Sequence, residues 1–229
     1  MIYPLIEGRS YTMGELRQTE ASLLKDRQQD QEFSAKLRTQ KGREILWAKS
    51  RAEEAYSVLL FAKHLRMSDQ ATFSFDPAAV ADFEIQSNGE AFKLQCTMAY
   101  EKRPGPDTGG KRHFRKMDEY NKLVLTGERS PLIEIEDVTT QILRWRAGIA
   151  DAVAAKVSKK SYIGKDLSLL VFARGCGRET IDIPFIDIAS PAVSSVERWK
   201  SVFNAIYIVD EHEFAAFKRS HAPILRQLG

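Results

Sequence analysis

The chain has 229 residues, enough for one substantial core, or one core with a small extension. Its 43% hydrophobic and 28% charged residues are ordinary for a globular protein, and a net charge of +3 permits nucleic-acid binding without demanding it. Cys96 and Cys176 give neither a disulfide framework nor a zinc spacing, and neither a signal-peptide pattern nor an apolar run of about 18 residues is present, so a cytoplasmic protein with no membrane partner is expected.

Residues 1–42 are rich in Gln, Arg, Lys and Glu, with only scattered Leu23, Leu24, Phe33 and Leu37. They read as a helical N-terminal extension, a candidate homodimer contact, preceding an α/β domain over 43–229. From Arg43 to Met67 the helical signal strengthens. Ile45, Ala48, Ala52, Ala55, Leu59 and Ala62 recur at helical spacing, and Glu54 begins an adjacent line with Val58, Phe61 and Leu65.

Thr72–Phe75 reads as a short strand. The stretch from Ala81 to Tyr100 reads as a β-hairpin, because apolar and polar residues alternate on both arms and Asn88-Gly89 tolerates the positive φ angles of a tight turn. Side chains of a strand point alternately to opposite faces. Phe92, Leu94, Cys96 and Met98 therefore share one face of the return strand, and Lys93, Gln95 and Thr97 form a polar row on the other.

Residues 101–117 form a long polar loop carrying Lys111, Arg112 and Arg115, a length and charge suited to a phosphate backbone. A short helix is expected over 118–125. From Asp137 to Lys160, Val138, Ile142, Trp145, Ile149 and Val153 mark one face of a longer helix, and Lys156 and Lys160 continue that line. The apolar run Leu167–Ala173 suits a strand buried on both faces. Ile181–Ile188 alternates loosely, as at a sheet edge; Val193–Val202 reads as helix, Ala205–Val209 as a last buried strand, and Glu211–Arg219 as a short helix. This order implies a mixed central sheet with helices on its faces.

Magnesium takes hard oxygen ligands, usually one or two carboxylates, with water and substrate phosphate completing an octahedron. Asp82, opening the hairpin, and Gln95, on the facing strand, have the spacing of such a site; Thr97 follows on the same face, and Glu54 is available from the first helix. This arrangement resembles the PD-(D/E)xK nuclease superfamily, whose core is helix, β-meander, helix, strand. The matching pieces are Glu54, Asp82 and Lys93-Leu94-Gln95-Cys96-Thr97, and the continuation Ile149–Tyr162 followed by Asp166–Ala173 resembles the helix and strand after the active site in bacterial members.

The resemblance implies a restriction-endonuclease-like core and Mg²⁺- or Mn²⁺-dependent cleavage of nucleic acid, with DNA as the expected partner. In it Asp82 binds metal with the Gln95 side-chain oxygen and the Cys96 carbonyl. Lys93 orients water or stabilises phosphate charge, Glu54 holds an outer-shell water, and Lys111, Arg112, Arg115, Lys156 and Lys160 contact the phosphate backbone. The sequence departs from the family at two places: Gln95 stands where the second acid is expected and Thr97 where the lysine is. The alternative is the same fold retained as a binding module without catalysis. A third reading rests on Gly105–Lys111, which matches the first positions of a phosphate-binding P-loop, with Ile206–Glu211 as a strand ending in a magnesium-binding acid; Arg112 stands where that mechanism needs Ser or Thr.

Overall fold

A computed structural model describes residues 9–18, 54–75, 80–102, 137–176, 183–219 and 224–227. In chain order they form β1 (Ser10–Thr12), α1 (Met13–Gln18), helix α2 over 54–64, β2 (Thr72–Phe75), β3 (Phe83–Ser87), β4 (Glu90–Met98), α3 (Val138–Val157), a 3₁₀ turn (Lys160–Tyr162), β5 (Ser168–Phe172), α4 (Phe185–Ser194), α5 (Trp199–Val202), β6 (Ala205–Val209), β7 (Glu213–Lys218) and β8 (Ile224–Gln227). The eight strands lie side by side in sequence order. Pairing is antiparallel from β1 to β4, parallel from β4 through β5 to β6, and antiparallel again to β8. The protein is thus an α/β fold on a mixed, open sheet.

Both sheet faces are covered, as parallel strands require. On one face α1 and α2 bury Met13, Leu59 and Phe61 against Phe73, Phe83, Leu94, Cys96 and Phe172. On the other, α3, α4 and α5 bury Trp145, Ile149, Phe185, Ile188 and Trp199 against Leu169, Val171, Ile206 and Ile208. The alternation along β5 and β6 divides each strand between these two cores, so a continuous apolar run is what their sequence shows.

Local chemistry sets several boundaries. The β3–β4 turn has Asn88 at φ 51° and Gly89 at φ 80°, the two positive angles that its Asn-Gly predicts. Asp137 caps α3 by accepting the Thr140 N–H at 3.1 Å. Pro191 lies inside α4 and cannot donate to the carbonyl of Asp187 one turn earlier; Arg146 of α3 supplies that bond, Nη2 to O at 2.8 Å. The two helices are thereby pinned together.

Several expectations are corrected. Ile181–Ile188 does not form an edge strand over its described part: Phe185, Ile188, Ala189, Ala192 and Val193 recur at helical spacing and are buried along α4. Helix over Val193–Val202 is interrupted from Ser195 to Arg198: Val193 and Ser194 end α4, and the four residues of α5 follow the break. Glu211–Arg219 is not helical. Its Phe214 and Ala216 enter one core, Ala215 and Phe217 the other, and the register Val209↔Phe214 makes this segment strand β7. The first turn of α3 is less buried than its spacing suggests, with Val138 exposed at 44%. Of the stretch read as a helical extension, residues 9–18 are described. They supply the strand paired with β2 and a short helix whose Met13 and Leu16 enter the core; Thr12 and Glu15 exchange hydrogen bonds as a capping box. The short helix expected over 118–125 lies outside the described residues. No described helix is long and apolar enough to cross a membrane.

Candidate active site

The site is built where the β3–β4 ladder runs out. In an antiparallel ladder every second residue turns both its N–H and its C=O to the same neighbour. Ala99 donates to the Phe172 carbonyl across β5, so the odd-numbered residues of this stretch face β5 and Cys96 faces the β3 side. The register Phe83↔Leu94 begins β3 one pair too late to meet Cys96 with a backbone carbonyl. Asp82 supplies the acceptor instead: its Oδ2 takes the Cys96 N–H at 2.8 Å. The Cys96 carbonyl points to the same side.

Gln95 lies on the opposite face from the Cys96 side chain and is 4% exposed. Its Oε1 accepts two hydrogen bonds, from Lys156 Nζ at 2.8 Å and from the Tyr162 hydroxyl at 2.8 Å, while its Nε2 donates to the Val80 carbonyl at 2.5 Å. Lys156 Nζ is also 4.0 Å from Asp82 Oδ2. An amide oxygen has two lone pairs, and both are engaged here. Gln95 therefore acts as a clip. It holds the Lys156 ammonium beside Asp82 and fixes the chain entering Asp82 through Val80, an arrangement that leaves its oxygen no lone pair for a metal.

Burial lowers the pKa of Lys156 below the ordinary lysine value, although the carboxylates of Asp82 and Glu54 favour its charged form. Burial raises the Cys96 thiol well above its usual value, and the carboxylates of Asp82 and Glu54 push the same way. The thiol is thus kept protonated, and its side chain belongs to the core. Glu54 is half-buried at the start of the described part of α2, and its carbonyl accepts the Ser57 hydroxyl at 2.6 Å. Its charge acts on both Lys156 and Cys96, which brings α2 to the same end of the sheet as α3.

The other residues singled out from the sequence are distributed differently. Lys93 stands opposite Glu84 in the ladder, their charges 3.6 Å apart and both side chains 46% exposed, so its ammonium pairs there. Thr97 follows Gln95 on the same face, half-buried and in register with Val171. Lys160 is exposed in the 3₁₀ turn. Lys111, Arg112 and Arg115, with the whole P-loop-like segment, lie outside the described residues. Asp210, the acid after β6, is fully buried and accepts the backbone N–H groups of Gly175 and His212, which makes it a cap of the turn into β7. Sequence reasoning put Lys156 on a phosphate backbone and passed over Tyr162. The signal for Lys156 was present, since it continues the buried line of Ile149 and Val153 toward the sheet.

Among the described residues no three His, Cys, Asp or Glu side chains gather as a metal site. Among the described residues the oxygens at this point are the Asp82 carboxylate and the Cys96 carbonyl, with the charge of Glu54 acting on the site from α2. Such a hard, sparse set fits Mg²⁺, which keeps most of its waters and takes one or two carboxylates. Comparison with known proteins adds no relative to this geometry: no family model, no curated protein and no solved structure matches the chain.

Proposed function

We propose that the chain is a nuclease of restriction-endonuclease-like architecture that hydrolyses phosphodiester bonds of nucleic acid with Mg²⁺ or Mn²⁺. One observation carries this reading: Lys156 Nζ, from α3, is bonded to Gln95 of β4 and stands 4.0 Å from the Asp82 carboxylate before β3. Three elements thus bring an acid, a cationic group and its positioning residue to one partly exposed point. The order from α2 to β5, helix, three-stranded meander, helix and parallel strand, supports it as well, being the order that the resemblance implies.

In this reading Asp82 and the Cys96 carbonyl hold the cation, and Glu54 orients one of its waters. The bound ion supplies Lewis acidity and a more acidic water. Lys156 takes the place that the resemblance gave to Lys93: its ammonium orients the nucleophile and stabilises the charge that develops on the phosphate. Gln95 is a positioning residue, keeping Lys156 there without binding metal.

Incubation of the full chain with plasmid and single-stranded DNA, in Mg²⁺ or Mn²⁺, tests the proposal beside Asp82→Ala and Lys156→Ala. Metal-dependent cleavage lost in both variants is the expected result. Salt-sensitive DNA binding without cleavage would replace it with the binding module, a fold retained without its chemistry.

A further inference from the structure

The segment joining α3 to β5 presents an apolar side chain where a polar one is expected. Ile163 has φ −64° and ψ 131°, Gly164 has φ +73°, and Lys165 N–H bonds the Tyr162 carbonyl at 3.2 Å. These are the angles of a type II turn with Ile163 at its first corner and Gly164 at the position that demands positive φ. Two further backbone bonds, Tyr162 N–H to Lys159 O and Ile163 N–H to Lys160 O, tighten the same knuckle. Ile163 is 50% exposed at its tip.

A single exposed aliphatic residue needs no explanation by itself. The surroundings of this one do. Lys159, Lys160 and Lys165 flank it along the chain and are all exposed, and Lys159 Nζ lies 5.7 Å from the Tyr162 ring. The residue before it, Tyr162, is buried with its hydroxyl on Gln95 Oε1, so the knuckle is anchored to the group that positions Lys156. Val80, exposed at 38%, receives the other end of the same amide. An apolar tip on a hydrogen-bonded turn, flanked along the chain by exposed lysines and tied through Tyr162 to Gln95, has the chemistry of the wedges that enter a base step while lysines hold the flanking phosphates.

We propose that Ile163 is such a wedge, that Lys159, Lys160 and Lys165 clamp the phosphates beside it, and that the substrate is double-stranded DNA, unstacked next to the bond presented to Asp82 and Lys156. The inference rests on the nuclease reading for its purpose but is tested without it. The full chain, free of divalent cations, is titrated into duplexes carrying 2-aminopurine at successive positions, whose fluorescence rises when its stacking is lost. A several-fold rise with the wild type is expected. Ile163→Phe should preserve the rise, and Ile163→Lys should bind the duplex without producing it. A wild-type complex with no rise at any position, an undiminished rise with Ile163→Lys, or no duplex binding overturns the wedge. In parallel, with Mg²⁺ present, Ile163→Lys should lower the ratio of duplex to single-strand cleavage by about tenfold or more, because only the duplex has a base step to unstack. An unchanged ratio overturns the wedge and leaves the nuclease standing. Absence of wild-type cleavage on both substrates sinks the nuclease alone, and the fluorescence result still decides the wedge.

Discussion

Asp82 accepts the backbone N–H of Cys96 at 2.8 Å, at the point where β3 no longer offers a carbonyl. The same side chain ends a ladder and, in the proposed nuclease, would hold a cation, and two substitutions separate these duties. Asp82→Asn keeps an acceptor for Cys96 but removes the charge. Asp82→Ala removes both and leaves a buried N–H unpaired, which costs about 1–3 kcal/mol. Urea unfolding should show a loss of that size for Asp82→Ala and a clearly smaller one for Asp82→Asn, while metal-dependent cleavage disappears in both. Equal destabilisation by the two variants would show that the hydrogen bond to Cys96 contributes little.

Gln95 donates to Val80 and accepts from Lys156 and Tyr162, so changing it to Glu alters the two ends differently. The accepting end gains a charge beside Lys156. At the donating end, a carboxylate oxygen faces the Val80 carbonyl and a hydrogen bond is lost. Gln95→Glu should therefore tighten Mn²⁺ binding about tenfold, as an added negative charge near a hard-cation site does. It should also lower stability by about 1–3 kcal/mol through the unpaired oxygen. Calorimetric titration with Mn²⁺ and urea unfolding measure the two effects. Weaker Mn²⁺ binding would argue that the cation does not sit on this side of Lys156.

Gly148 lets α3 approach the chain leaving β4. A Cβ built there would run into the Tyr100 carbonyl oxygen, which is backbone and cannot swing aside. Lys102 N–H bonds the Arg144 carbonyl at 3.2 Å, one turn before the glycine, and Lys102 Nζ pairs with Asp151 at 2.6 Å, one turn after it, so the contact is held on both sides. Gly148→Ala gains helix propensity worth about 1 kcal/mol but must displace α3 by overpacking, a net loss of about 1–3 kcal/mol or more. Because Lys156 lies two turns further along the same helix, cleavage should fall with stability. A variant as stable and active as wild type would mean that α3 has room the packing does not show.

Strands were legible where the pattern was local. Asn88-Gly89 fixed the hairpin, alternation gave β3 and β4, and unbroken apolar runs marked β5 and β6. The misreadings have physical causes. EFAAFK is buried on both faces, so it lacks the alternation of a half-exposed strand; what makes it β7 is its pairing with β6. Phe185–Ser194 carries Pro191, a mark against helix, yet Arg146 of α3 repairs the missing bond from 41 residues away. Of the candidate site, the sequence pointed to Asp82 and Gln95, whose spacing along the hairpin is local, but not to Gln95 as the acceptor for Lys156 and Tyr162. Lys156 and Tyr162 reach Gln95 from 61 and 67 residues away, and no spacing in the sequence states that closure.

His64 supplies a prediction on stability alone. It is 2% exposed at the end of α2, stacked on Phe214 with ring centroids 5.3 Å apart, and neither ring nitrogen makes a hydrogen bond of normal geometry among the described residues. Burial lowers its pKa to about 4, with the Asp210 backbone pulling upward and the nearby His212 adding to the fall. The unfolded chain takes up this proton near pH 6.5, and the folded chain refuses it until about pH 4. In that interval the unfolded state binds more protons, so stability is highest above the unfolded pKa and drops as pH falls toward the folded one, by about 3 kcal/mol at the acid end. His64→Phe keeps a ring against Phe214 and cannot titrate. Urea unfolding of both proteins at pH 7, 6, 5 and 4 should show the variant losing less stability than wild type with each step. Parallel curves would mean that His64 finds a way to carry its proton inside the fold.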